Sequence, residues 1–135
     1  MTMSRLFRYI AGTAMALLCC NAFAQEQEKP KDIPTIAAES ADYLMEVLKL
    51  EDYQVFQVDS TFQYNYAMMS KELDDLKKSG AMSTERYQMV SDKWMNANDT
   101  TFKMIFTDQQ WSRYLKCKFA HDKKARDKRM KARQR

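Results

Sequence analysis

Glycine, proline, histidine and cysteine are scarce in this chain, and each scarcity excludes something. Of 135 residues, two are glycine, two proline, three cysteine and one histidine. So little turn chemistry argues against sheets joined by many tight loops. There is no Gly-rich phosphate loop, no Cys-x-x-Cys pair and no nucleophile elbow. The one histidine, His121, lies in a basic terminal stretch with no nucleophile–base–orienter set around it in the sequence. No catalytic residue is therefore assigned, no cofactor is expected, and the chain reads as a non-enzyme. Long apolar runs are also lacking. The longest stretch, within 10–20, is shorter than the roughly 20 residues a spanning helix needs.

That short run has the grammar of an export signal. Arg5 and Arg8 form a basic lead, Ile10 to Cys20 is mostly apolar, and Ala22-Phe23-Ala24 fits small-x-small cleavage. Residues 1–24 are expected to be a signal peptide removed after Ala24, with the periplasm as destination. Lipid anchoring through Cys20 is the alternative, although that signal wants a small residue where Cys19 stands. Past the signal only Cys117 remains, so no intramolecular disulfide can form. A free thiol and a disulfide between two chains both stay open. Residues 25–33 are polar, contain Pro30, and read as a disordered leader.

Charge is divided along the chain. Residues 25–115 carry 10 Lys/Arg against 16 Asp/Glu, and 116–135 carry 10 against 2. An acidic body thus ends in a basic tail. Such a tail suits an anionic surface or is a solvated end, and export argues against nucleic acid.

Abundant Met, Lys, Gln, Glu and Ala suit helices. Helix one is expected over about 34–49, with Ile36, Tyr43, Leu44, Val47 and Leu48 recurring at helical spacing. Helix two should run from Asp52 to about Lys78. Its apolar positions Val55, Val58, Phe62, Tyr66, Met69, Leu73 and Leu76 step by 3 or 4, the period of a coiled-coil-like seam. Ser79-Gly80 stops it, and Ser83 caps helix three, with Tyr87, Val90, Trp94, Ala97, Thr101 and Ile105 in line. Thr107 caps helix four, which carries Trp111, Tyr114, Leu115 and Phe119. Residues 34–119 are thus an all-α domain of about four helices built on a long antiparallel hairpin. The tail, 120–135, has almost nothing apolar to bury and is expected to be solvated or disordered, whether or not it stays helical.

Two corners share a pattern. In Phe106-Thr107-Asp108-Gln109-Gln110 an apolar residue precedes a cap, an acid and a glutamine; Leu50-Glu51-Asp52-Tyr53-Gln54 is a weaker copy, 56 residues earlier. On these residues the chain resembles the Spy/CpxP family of periplasmic stress proteins, whose hallmark is a repeated Leu-Thr-x-x-Gln. Thr107 and Gln110 match in one copy, and Leu50 and Gln54 in the other. Phe106 stands for Leu and Glu51 for Thr. The resemblance, over roughly 36–119, implies a helical hairpin that dimerises into a thin curved cradle. It also implies holding unfolded clients without ATP, or binding envelope stress sensors or metals.

The residues themselves offer three candidate surfaces. Methionines off the seams (Met68, Met89 and Met95) and the aromatics Phe56 and Phe102 are candidates to touch unfolded or envelope proteins, because Met is flexible and polarizable. Cys117 and His121, four apart, would share a helix face as a weak metal pair, two ligands short unless a second chain supplies them. The expected function is ATP-independent, chaperone-like binding. A module dedicated to one envelope partner and a metal-binding relative are the alternatives.

Overall fold

The computed structural model describes residues 30–135; the expected signal peptide and residues 25–29 of the expected leader lie outside them. The described chain is all-α. α1 is Ile33–Leu48, α2 Asp52–Lys78, α3 Thr84–Ile105, α4 Asp108–Tyr114 and α5 Lys123–Arg133, with a 3₁₀ turn at Lys118–Ala120 between the last two.

The helix starts follow local chemistry. Asp32 Oδ1 accepts from the Thr35 N–H at 3.1 Å, and Pro34 sits in the first turn of α1, where its lost N–H does no harm. Lys31 Nζ reaches Glu39 at 2.7 Å. The last residue of the expected leader, Ile33, is the first of α1. Lys49 closes α1 in the left-handed region, φ 56°, and its N–H returns to the Met45 carbonyl. Ser83 Oγ accepts from the Arg86 N–H at 3.2 Å. Between α2 and α3 the chain reverses at Gly80, φ +70°, which glycine adopts without strain.

α2 and α3 run antiparallel, and their cross-pairs show it. Gln54 meets the Ile105 carbonyl, Asn65 meets Asn98, and Glu72 meets Lys93, one sequence rising as the other falls. α1 folds back along the first half of α2 on the small side chains of Ala37, Ser40 and Ala41, with Leu44 and Leu48. The core lies at that end. Phe62 and Phe102 meet edge to face at 5.0 Å, Phe106 stacks on Phe102 at 5.4 Å, and Tyr114 closes on both. Such ring pairs add to the area term of burial.

Three expectations about faces are corrected here. Phe102, offered as a surface candidate, is 0 % exposed and central to the core. Ile36, Val47 and Tyr87 face outward, as does Leu115, because α4 ends at Tyr114 and the chain turns away. The α2–α3 interface is also more polar than an apolar seam. Asn65 Nδ2 donates to Asn98 Oδ1 at 2.6 Å, both buried.

The basic tail is the largest correction. Most of its residues are exposed, as expected, but it is ordered as α5, which runs back along α3 and docks on it through arginines. Arg126 is buried against Asp99, which also accepts from the Tyr114 hydroxyl at 2.6 Å. Arg129 and Arg133 both reach Asp92, at 2.8 and 2.9 Å. Arginines at 126, 129 and 133 fall on one helical face opposite acids seven apart on another. Guanidinium forks suit this work better than ammonium groups.

Two outcomes follow. Arg126→Met leaves Asp99 buried with only the Tyr114 hydroxyl, so chemical denaturation should show a loss of about 3–5 kcal/mol, with Arg126→Met/Asp99→Leu recovering part of it. The Arg129 guanidinium holds the Asp92 carboxyl below its ordinary value. A carboxyl depressed on folding adds stability that is present above its unfolded pKa, about 3.9, and is lost as pH falls through the folded value. Asp92→Asn should therefore lower the melting temperature at pH 7, and the gap from wild type should narrow as the pH falls below about 3.9 toward the lower folded value.

Candidate functional site

The two corner motifs, far apart in sequence, meet in space. Gln110 is the third residue of α4. Its Oε1 accepts from the Thr107 N–H at 3.0 Å while Thr107 Oγ1 accepts from the Gln110 N–H at 3.2 Å, a reciprocal capping box. Gln54 is the third residue of α2, and its Oε1 accepts from the Glu51 N–H at 2.9 Å. The amides then clasp each other. Gln54 Nε2 donates to Gln110 Oε1 at 2.8 Å and to the Ile105 carbonyl at 3.1 Å. Gln110 Nε2 donates to Gln54 Oε1 at 3.0 Å and to the Lys49 carbonyl at 3.3 Å. Ile105 and Lys49 each stand two residues before a cap, so one pattern is made twice, once in each direction.

Each amide thereby uses both N–H donors and both lone pairs, its full capacity. A carboxylate lacks the donors and an apolar side chain lacks everything, so glutamine is specified by hydrogen bonding alone. Leu50 and Phe106 are buried beside the clasp, whereas Glu51 and Thr107 remain exposed as caps. The motif residues form a fastening between two helix starts, with no polar capacity left on the glutamines for a ligand.

The apolar candidates lie elsewhere and apart. No residue in 66–89, the arm that carries the hairpin turn, is buried. Met68, Met69, Leu73, Leu76 and Met82 are half-buried there, and Tyr87 and Met89 are exposed. Leu76, Met89, Val90 and Met130 of α5 line a cleft of ≈ 360 Å³, with Arg86 and Arg133 at its edge. Met95 is half-buried, its sulfur 3.9 Å from Asn98 Nδ2. Phe56 stands on the outer face of α2, 73 % exposed, near α1. Met104 on α3, absent from the sequence-based candidates, is more exposed still at 76 %. Its position between Lys103 and Ile105 could have flagged it, since Ile105 and Phe102 claim the inward direction of that turn.

Cys117 and His121 do not share a helix face. A 3₁₀ turn separates them; the thiol is buried and pushed above its ordinary pKa by that burial, while the imidazole is exposed. No group of three or more His, Cys, Asp or Glu placed to hold a metal occurs among the described residues. The buried polar set of Asn65, Asn98, Asp92, Asp99 and Arg126 was not foreseen; the seven-residue step from Asp92 to Asp99 was its signal.

The clasp predicts a particular non-additivity. Gln54→Leu alone orphans the Glu51 N–H, the Ile105 carbonyl and half of Gln110, and should cost about 2–3 kcal/mol in urea denaturation. Gln110→Leu should act alike, and the double variant should cost less than the sum, with a coupling of about 1–3 kcal/mol.

Comparison with known proteins adds no relative: no family model, no curated protein and no solved structure matches this chain.

Proposed function

We propose that this chain is an exported, ATP-independent chaperone-like protein that holds non-native polypeptides on apolar, methionine-bearing helix faces. The observation that carries the reading is the hairpin arm. Across 66–89 no side chain finds full cover, yet the segment holds four methionines, two leucines and two tyrosines among its apolar residues. Tyr53, Phe56, Tyr64 and Met104 add exposed apolar surface along the rest of α2 and α3. Exposed apolar patches of this kind mark partner surfaces, and methionine adapts its shape to varied partners. The similarity of the two corners to the Spy/CpxP pattern supports the same reading, as does the basic, signal-like start of the chain.

Binding of this type needs no bond-making step, so no catalytic group is assigned. Association of two copies would lengthen the apolar face, and we place the working form as a homodimer in the periplasm. No helix among the described residues is long and apolar enough to cross a membrane. Lys124, Lys128 and Lys131 form an exposed stripe on α5, turned away from its arginine face, and suit an anionic surface. The cleft at Met89 and Met130 favours a rival reading, a module whose cleft seats one dedicated envelope partner.

The test is aggregation of a chemically denatured client diluted into buffer. The chain without residues 1–24 should suppress it at stoichiometric amounts. Phe56→Ser/Met89→Ser should weaken suppression several-fold while leaving stability within about 1 kcal/mol, since Phe56 is mostly and Met89 partly in solvent. Absence of suppression, with one protein recovered stoichiometrically in a pull-down, would favour the dedicated module.

A further inference from the structure

An open groove runs between α1 and α2, with Met45, Val55 and Phe56 along it and Asp42, Asp52 and Asp59 at its edges. Among the described residues, no lysine or arginine lines it. None of its three aspartates takes part in an ion pair among those residues, whereas Asp92 and Asp99, the buried acids of α3, are both matched by arginines of α5. Asp59 is the least exposed of the three. Its Oδ2 accepts from Gln63 Nε2 at 2.7 Å, but its Oδ1 is buried and has no hydrogen-bond partner among the described residues. A buried acceptor without a donor is rare and unfavourable.

We propose that this groove binds a cationic, apolar segment of a non-native polypeptide, in which a lysine or arginine is flanked by apolar side chains. The proposal rests on the holdase reading and supplies the client chemistry that reading leaves open. A long basic side chain fits both halves of the site. Its methylene stem lies along Met45, Val55 and Phe56 while its head reaches a carboxylate, the usual snorkelling geometry. Three unpaired carboxylates around an apolar strip concentrate cations there and select against acidic segments. Exposed Phe56 supplies an aromatic face for the same cation.

The experiment compares two labelled short peptides by fluorescence anisotropy: one of Lys, Leu and Phe, the other with Glu replacing every Lys. The chain without residues 1–24 should bind the lysine peptide at least about tenfold more tightly, and the preference should shrink as salt rises. Asp42→Asn/Asp52→Asn/Asp59→Asn should abolish the preference. Asp74→Asn/Asp75→Asn/Glu85→Gln, which removes as much charge near the hairpin turn, should keep it. Equal affinity of the wild type for the two peptides overturns the proposal, and so does equal loss in both triple variants, which would mean diffuse attraction to an acidic body. Self-association abolished only by the groove variant would put a second copy's lysines there instead, again overturning it. Aggregation suppression measured on the same wild-type protein tells failure of the groove from failure of the holdase, because a holdase can survive without this preference.

Discussion

Two glutamine amides hold this fold in register. Gln54 and Gln110 each cap their own helix and grip the other's approach, so the starts of α2 and α4 cannot move independently. The cost of breaking such a unit exceeds that of a lone surface hydrogen bond, because Gln54 is 1 % exposed and water cannot replace what is lost. Everything apolar nearby depends on that registration. Leu50 and Phe106 enter the core just before the two caps, and Phe102, Phe62 and Tyr114 assemble around them. Two chain reversals that would otherwise be hinges become one fixed joint.

From that joint the molecule loosens along its own length. The core belongs to the corner end, where α1 and α4 cover the hairpin. Further along, the contacts between α2, α3 and α5 turn polar: Asn65 with Asn98, Asp99 with Tyr114 and Arg126, then Asp92 with Arg129 and Arg133. These pairs fix register strictly, since each mismatch would strand a buried polar group. They contribute less net stabilisation than apolar burial of equal area. The outer arm beyond them has partial cover only. Rigidity at one end and thin packing at the other follow from where apolar and polar partners fall along one hairpin.

Much of this was legible in the residues, and what was not has a common cause. Helix limits rest on local signals, so Pro34, Ser79-Gly80, Ser83 and Thr107 marked them closely, and the recurrent corner pattern marked two helix starts, though not that their glutamines meet. Faces were harder. Counting apolar residues put Thr101 and Ile105 inward and left Phe102 outside. In the fold, Asn98 and Asp99 occupy inward positions one turn earlier and set the phase that carries Phe102 into the core. The tail failed for the same reason: α5 docks through arginines, and a search for apolar stripes does not see a helix whose buried face is charged. Leu115 was lost to chain geometry, because α4 is only seven residues long.

The same displacement bears on the exposed surface. When polar pairs occupy the inward positions of α2 and α3, the apolar side chains of those helices are pushed to the flanks. Among the described residues no further layer covers them there. Exposure of Tyr53, Phe56, Tyr64, Tyr87 and Met104 is then a structural consequence of how register is specified, rather than a defect of packing. Replacing both members of a polar pair with apolar side chains would be expected to keep much of the stability while freeing register and drawing the flanks inward. A fold that keeps its buried asparagines and aspartates gives up that burial and retains apolar surface on a fixed frame. Loose binding of varied segments requires that combination, because a flexible frame would collapse its own apolar faces onto one another.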